Sequence, residues 1–180
     1  MTYKQAITDS MTALADDPAV CFVGYGITRG KAMGTLANVK PEQLLEFPVA
    51  ENLMVGAAVG LALRGRKPVV FIERCDFLLN AMDAIVNHLC KIELMSAGQF
   101  KPAVMFRIVV GNTQKPLFTG ETHTQNFSDS LVLMANDPSQ PWFSCPTMRA
   151  PSDAPWLYTD AAERMRFGQS TAIFELKDLY

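Results

Sequence analysis

The sequence contains few of the side chains that bind transition metals, and neither sign of charge dominates it. There are 2 histidines, and the 4 cysteines lie far apart without a Cys-x-x-Cys pair, so zinc-finger spacing is absent. The 16 lysines and arginines nearly balance the 18 acidic residues, which leaves a net charge of -2. A near-neutral chain without a basic run is a poor candidate for binding nucleic acid or an anionic membrane. We expect neither of these partners, and we expect four reduced thiols.

Long apolar runs and a leader sequence are missing as well. Charged residues interrupt the apolar stretches well before the ~20 residues that a membrane-spanning helix needs. The N-terminal residues MTYKQAITDSMTALADD form a capped amphipathic pattern, which differs from the charged start and apolar run of a signal peptide. We therefore expect a cytoplasmic protein. Its 180 residues, of which 49% are hydrophobic, suit a single domain over residues 1–180.

What the sequence does contain is a regular alternation of strand and helix patterns. Apolar runs typical of buried strands occupy residues 19–23, 44–49, 69–72, 103–110 and 171–176. Helical periodicity covers residues 1–15, 50–64, 76–98 and 152–167. Asp76 is the expected N-cap of the third helix. Strands that are apolar throughout and alternate with helices predict an α/β fold, with a mostly parallel sheet and helices on both faces.

Ligands of such sheets bind beyond the carboxyl ends of the strands, where the sequence places two titratable residues. Glu51 follows a strand and opens a helix, so its carboxylate either favours the helix N-terminus or faces a ligand. His123 lies in the loop GETHTQ and is either a solvated side chain or an acid/base residue. His88 falls near the apolar stripe of the third helix, which favours a packed or hydrogen-bonded role. The glycines of GAAVGLALRG lie inside a helix, so they are not a dinucleotide fingerprint.

Four segments of the sequence resemble one known family. They are EFPVAENLMVGAAVGLALRGRKPVV (46–70), DFLLNAMDAIVNHLCKIELMSAGQ (76–99), GETHTQ (120–125) and TAIFELKDLY (171–180). All are similar to the pyrimidine-binding domain that the thiamine-diphosphate-dependent beta subunits of 2-oxo acid dehydrogenases share with transketolases. The resemblance covers nearly the whole chain and is thin from 111 to 117 and from 126 to 169. It implies a six-stranded parallel sheet, in agreement with the alternation of patterns.

The resemblance also implies roles for three residues. Glu51 matches the glutamate that hydrogen-bonds a ring nitrogen of the cofactor's aminopyrimidine. Phe77 matches the aromatic residue that stacks on that ring, although a residue in its position also suits the core. His123 matches an active-site histidine that meets the substrate or the acyl acceptor. Glu51 and His123 are therefore the expected catalytic residues, and Glu51 and Phe77 the expected cofactor-binding residues.

Two departures from the family pattern fall beside this site. Tyr25 and Gly26 stand where the family carries an acidic residue after the first strand. Glu73, Arg74 and Cys75 stand where it carries apolar or aromatic residues. Arg74 either pairs with Glu73 or meets an anionic substrate. Because these residues lie near the expected cofactor, we expect a substrate preference that differs from pyruvate.

A partner subunit follows from the same resemblance. The chain stops where the family's pyrimidine domain stops, and it lacks the Gly-Asp-Gly…Asn motif that holds magnesium and the diphosphate. We expect no metal ligands in this chain. Thiamine diphosphate would be shared with a diphosphate-binding, alpha-type subunit that holds the Mg²⁺, in a heterotetramer of two plus two.

The expected function is that of the pyrimidine-binding subunit of a split enzyme. This enzyme would decarboxylate a small-molecule 2-oxo acid and transfer the resulting acyl or aldehyde unit, as a decarboxylase or a carboligase. The missing C-terminal domain of the family argues against a standard dehydrogenase complex. Two alternatives stay open: a non-catalytic structural or regulatory partner of such an enzyme, and a transketolase-like two-carbon transferase.

Overall fold

Six parallel strands form one sheet, in the order β2-β1-β3-β4-β6-β5. The structure, a computed structural model, describes residues 1–115, 120–136 and 143–180. The strands are β1 (Val20–Gly24), β2 (Leu44–Glu46), β3 (Lys67–Ile72), β4 (Met105–Val110), β5 (Thr147–Met148) and β6 (Thr171–Leu176). All neighbouring strands pair in parallel. The predicted α/β class and six-stranded parallel sheet are confirmed.

Helices cover both faces of the sheet. The α-helices are α1 (Tyr3–Ala15), α2 (Glu51–Leu63), α3 (Leu78–Asp83), α4 (Ile92–Met95), α5 (Ser128–Ala135) and α6 (Asp153–Arg166). Short 3₁₀ turns occupy Pro41–Gln43, Cys75–Phe77, Gly120–His123 and Lys177–Leu179. Because side chains of a strand alternate between faces, Val70 and Ile72 pack under α2 and α3, while Val69 and Phe71 pack under α1 and α6.

The helix predicted over residues 76–98 is not continuous, and Asp76 is not its N-cap. The 3₁₀ turn Cys75–Phe77 leads into α3, a π-helix follows over Ala84–Leu89, and α4 comes last. The N-cap residue of α3 is Phe77, with no side-chain cap. At the change to π-helical hydrogen bonding, the Ala84 amide bonds back to the Ala81 carbonyl and also donates to Asn52 Oδ1 (3.1 Å). The side chain of Asn52 thereby fastens the start of α2 to the end of α3.

Other elements differ from the sequence patterns in detail. The apolar spacing within residues 50–64 predicts that Leu53 shares one face with Met54 and Ala58. The apolar residues that α2 buries are Met54, Val55, Ala58 and Val59, whereas Leu53 is 53% exposed. Neither α5 nor β5 was visible as a periodic pattern. The Gly/Asn/Pro-rich composition of residues 111–125 predicts a loop, of which residues 116–119 lie outside the described residues. Within the described ranges, every helix is too short or too polar to cross a membrane.

Candidate active site

A pocket of about 250 Å³ lies at the carboxyl edge of the sheet, where the segments following β1, β2, β3 and β4 meet. The side chains predicted to carry function converge on it. Glu51, Phe77 and His123 all line this pocket, together with Tyr25, Val49, Met54, Phe71, Ile72 and Glu73. We call it the Glu51 pocket. It owes its position to the parallel sheet, which brings the carboxyl ends of all strands to one edge.

Glu51 is the first residue of α2 and is only 6% exposed. Its position in the first turn suits a carboxylate, because the helix dipole favours negative charge there. Asn80 Nδ2 lies 3.5 Å from Oε2, a long contact that leaves the carboxyl group free to bond a ligand. Within the part of the chain that the structure describes, no lysine or arginine pairs with Glu51. A buried carboxyl group that faces a pocket and lacks a cation is suited to share a proton with a bound heterocycle.

Phe77 and His123 form one wall of the Glu51 pocket. Their rings meet edge to face, with centroids 5.2 Å apart and planes at 87°. The hydroxyl oxygen of Thr122 lies 3.1 Å from Nδ1 of His123. The arrangement leaves an aromatic surface next to an imidazole, which offers a platform for a flat ring and a group that can transfer a proton.

The loop that carries His123 is fastened to the segment that carries Phe77. Asp76 Oδ1 accepts hydrogen bonds from Gln125 Nε2 (2.9 Å) and from the Gln125 amide (3.3 Å). The Phe127 amide donates to Cys75 Sγ (3.2 Å). Asp76 thus holds the loop that carries His123 against the segment that carries Phe77. The sequence pattern did not indicate this role for Asp76, although Asp76 and Gln125 both belong to the segments that resemble the family.

The two departures from the family pattern have different places in the structure. Tyr25 and Glu73 line the Glu51 pocket. Arg74 does not line it: its Nη1 donates to the carbonyl oxygen of Glu73 (2.6 Å) and lies 3.9 Å from the Glu73 carboxylate. The pairing alternative for Arg74 therefore describes its geometry. His88 lies at the surface, 3.4 Å from Asp83, with its side chain 64% exposed, so it is paired rather than packed.

The residues of the Glu51 pocket fit an aminopyrimidine ring. Such a ring needs an aromatic face to stack on and a carboxyl group for a ring nitrogen, and Phe77 and Glu51 supply both. The volume of the Glu51 pocket, about 250 Å³, is enough for a single aromatic ring and its substituents. Among the described residues, no three His, Cys, Asp or Glu side chains are placed to hold a metal ion together.

The chain is thus an α/β domain with an all-parallel sheet. Its candidate ligand site, which contains the buried Glu51, is lined by the segments that follow the strands. The family profile described as "Transketolase, pyrimidine binding domain" matches residues 1–123. The chain belongs to this family.

Known proteins are similar to the chain over most of its length. The beta-2 subunit of the mitochondrial pyruvate dehydrogenase E1 component of Oryza sativa subsp. japonica is 31% identical over 134 residues, 71% of this chain and 35% of the relative. The beta subunit of 2-oxoisovalerate dehydrogenase of Pseudomonas aeruginosa is 29% identical over 153 residues, 79% of this chain and 43% of the relative. The chain thus spans less than half the length of these relatives.

A solved structure shares the fold. A split-gene transketolase, described as an inactive beta4 tetramer, matches with a TM-score of 0.69 over 97% of this chain and 51% of that chain. The sequence identity is 16%, so the likeness shows the fold alone.

Proposed function

We propose that residues 1–180 form a single pyrimidine-binding domain that supplies one half of a thiamine-diphosphate site in a split enzyme. The enzyme would decarboxylate a 2-oxo acid and transfer the resulting acyl or aldehyde unit. The observation that carries this proposal is the buried Glu51 carboxyl group facing Phe77 and His123 across one pocket. Two relatives are named as dehydrogenases of pyruvate and 2-oxoisovalerate, which supports a 2-oxo acid as substrate.

Each of the three side chains has a role in this proposal. Bound thiamine diphosphate supplies the electron sink that decarboxylation of a 2-oxo acid requires. The Glu51 carboxyl group holds a proton at a ring nitrogen of the aminopyrimidine, in a site sheltered from water. Phe77 orients the ring by stacking. His123 gives or takes a proton at the substrate, which general acid-base catalysis assigns to a histidine within hydrogen-bond reach.

A partner subunit of the diphosphate-binding, alpha type is part of the proposal. The partner would bind the diphosphate and its Mg²⁺, in a heterotetramer, since the described residues of this chain place no three His, Cys, Asp or Glu side chains together. The outer strip of α2 supports such an interface. Leu53 and Leu63 are 53% and 43% exposed, and Gly56 and Gly60 lie between them with open space above. Residues spaced by three and four share one helix face, so the strip is an apolar, closely approachable surface.

Calorimetric titration tests the proposal directly. The chain is co-expressed with the product of the neighbouring gene, and the purified pair is titrated with thiamine diphosphate and Mg²⁺. We expect binding by the pair and none by this chain alone. Release of carbon dioxide from a panel of 2-oxo acids then identifies turnover.

The variant Glu51→Gln separates the catalytic proposal from its alternatives. It keeps the size of the side chain, so the pair should still assemble, but turnover should be lost. Glu42→Gln, at an exposed position in the 3₁₀ turn Pro41–Gln43, is the matched control and should retain activity. Full activity of Glu51→Gln would favour a non-catalytic partner.

A transketolase-like two-carbon transfer is the second candidate, because the family profile that matches residues 1–123 is that of the transketolase pyrimidine-binding domain. Sugar phosphates distinguish the two reactions. If the pair transfers a two-carbon unit between sugar phosphates and releases no carbon dioxide from 2-oxo acids, the transferase is the correct assignment.

A further inference from the structure

A strained turn follows β1 near the Glu51 pocket. Lys31, Ala32 and Met33 have φ values of 49°, 46° and 58°, and Gly34 follows with 82°. Three consecutive residues with side chains therefore adopt the left-handed conformation, which L-residues visit as single residues and rarely in succession. We call Lys31–Gly34 the left-handed turn. Such strain persists only where the surrounding structure enforces it, and it is concentrated at functional sites.

Buried polar side chains hold the left-handed turn from behind. The Thr35 hydroxyl donates to the Ala32 carbonyl (2.7 Å) and accepts from Arg107 Nη2 (3.1 Å). Arg107 is fully buried and bonds both carboxylate oxygens of Glu175 (2.7 and 3.1 Å). Its guanidinium also lies 5.3 Å from the centre of the Phe71 ring. One buried ion pair thus positions both the turn and Phe71.

The left-handed turn and Phe71 are two walls of a second cavity, of about 670 Å³. This cavity also borders the Glu51 pocket, because Tyr25, Phe71 and Glu73 line both. Its volume lies within the range of small-molecule pockets, which are mostly apolar with a few polar groups. Ala32 and Met33 complete an apolar lining with Tyr25 and Phe71.

The charges around the second cavity favour an uncharged occupant. Glu46, Glu73 and Arg29 line it, and Lys177 Nζ lies 3.4 Å from Sδ of the lining residue Met33, so two acidic and two basic side chains balance each other. The Glu46 carboxylate is already bonded by the amides of Gly26 and Thr28 (2.6 Å each). Glu73 stands where the two cavities meet, so an additional anionic group passing it would be repelled.

We propose that the second cavity is the subsite for the side chain of the 2-oxo acid, and that it takes an aromatic or branched aliphatic side chain. The subsite rests on the proposed function, since it needs the reaction to occur in the adjoining Glu51 pocket. The left-handed turn then serves as a rigid wall that fixes the size of the subsite. It is a specificity element, and Arg107 and Thr35 are positioning residues.

A comparison of four 2-oxo acids as substrates tests which class of side chain the subsite takes. The purified pair is assayed for carbon dioxide release from phenylpyruvate, 4-methyl-2-oxopentanoate, pyruvate and 2-oxoglutarate. We expect kcat/KM for one of the two bulky substrates to exceed that for pyruvate and 2-oxoglutarate by about tenfold or more, the discrimination that an apolar pocket provides. A preference for pyruvate or 2-oxoglutarate overturns the subsite while leaving the proposed function standing. Failure of the pair to bind thiamine diphosphate removes the proposed function itself.

Two glycine variants test the role of the wall. Lys31→Gly relieves strain in the turn, and Ala97→Gly relieves the same strain at an exposed residue with φ 50° far along the chain, after α4. Both should raise the thermal unfolding midpoint, by roughly 2 °C. Only Lys31→Gly should lower the preference for the bulky substrate, by about tenfold, because its wall becomes mobile.

Broadening of the NMR signals of phenylpyruvate by the cofactor-free pair of subunits measures binding without turnover. We expect the broadening to weaken in Lys31→Gly and to persist in Ala97→Gly. Unchanged preference and unchanged broadening in Lys31→Gly overturn the proposal. So does loss of the partner subunit from Lys31→Gly alone, which would show that a segment of the partner fills the cavity.

Discussion

At the scale of single residues, the position of His123 depends on Gly111, the residue after β4. A Cβ atom at Gly111 would overlap the carbonyl oxygen of His123. The loop can return over the end of β4 only because no side chain is present there. A glycine immediately after a buried strand was visible in the sequence, but its partner twelve residues later was not.

Gly111→Ala should therefore displace the His123 loop. We expect kcat/KM of the assembled enzyme to fall by about tenfold to a hundredfold, the effect of misplacing an active-site group by ~1 Å. The histidine NMR signals of the isolated chain should shift in parallel. Gly56→Ala, whose Cβ meets open space, is the control for the chain alone and should leave the His123 signals in place. Unchanged signals in Gly111→Ala would contradict the prediction.

The thiols give a second prediction at this scale. Burial raises the pKa of Cys75 and Cys90 to about 11 and that of Cys145 to about 12. Only the thiolate reacts, so at pH 7.5 iodoacetamide should label these residues roughly 100-fold more slowly in the folded chain than in urea. The rate should rise with pH up to at least pH 9, still below these pKa values. Mass spectrometry of timed samples measures it, and equal rates with and without urea would refute the prediction.

At the scale of elements, the sequence predicted the strands better than the helices. Four apolar runs became β1, β3, β4 and β6 with ends displaced by at most two residues, because continuous burial leaves an unambiguous pattern. The prediction of one continuous helix over residues 76–98 was wrong because apolar spacing does not distinguish α- from π-helical hydrogen bonding. The prediction that Leu53 lies on the buried face was wrong. Because α2 is apolar on nearly every side, its sequence pattern could not identify which face is buried.

The bond from Asn52 to the end of α3 should contribute measurable stability. Asn52→Ala leaves the Ala84 amide with only its bond to Ala81, and the free energy of unfolding should fall by about 1 kcal/mol. Asn87→Ala is the matched control, since the Asn87 amide bonds Asp83 (2.9 Å) at the exposed surface and should cost little. Urea unfolding monitored by circular dichroism compares them. Equal losses would show that the link between α2 and α3 has no special weight.

At the scale of the whole molecule, the sequence predicted which residues meet at the site, but it did not predict the contacts that hold them in place. The rule for parallel sheets placed the loops bearing Glu51 and His123 at one edge. The roles of these residues stay predictions until the variants are assayed. The hydrogen bond between Asp76 and Gln125 joins residues 49 positions apart. The left-handed turn is held by Thr35, whose hydroxyl accepts a hydrogen bond from the distant Arg107. Neither leaves a local signal, because both are enforced by tertiary packing.

The outer strip of α2 should control assembly. Leu53→Asp places a charge in this apolar strip, and the partner subunit should no longer co-purify, because an unpaired charge would be buried at the interface. The fold of the chain alone should be unchanged, since Leu53 is half exposed. Leu133→Asp, at an 81% exposed apolar position on α5, is the control. Light scattering after size exclusion measures both, and a complex that survives Leu53→Asp would place the interface elsewhere.

The lengths of the outermost strands have a consequence for solubility. The sheet ends in β2, with three residues, and β5, with two. Such short edge strands present few unpaired backbone amide and carbonyl groups, so another chain has little template on which to add a strand. Growth of cross-β fibres from the folded state is therefore disfavoured, and association is directed to the helical surfaces.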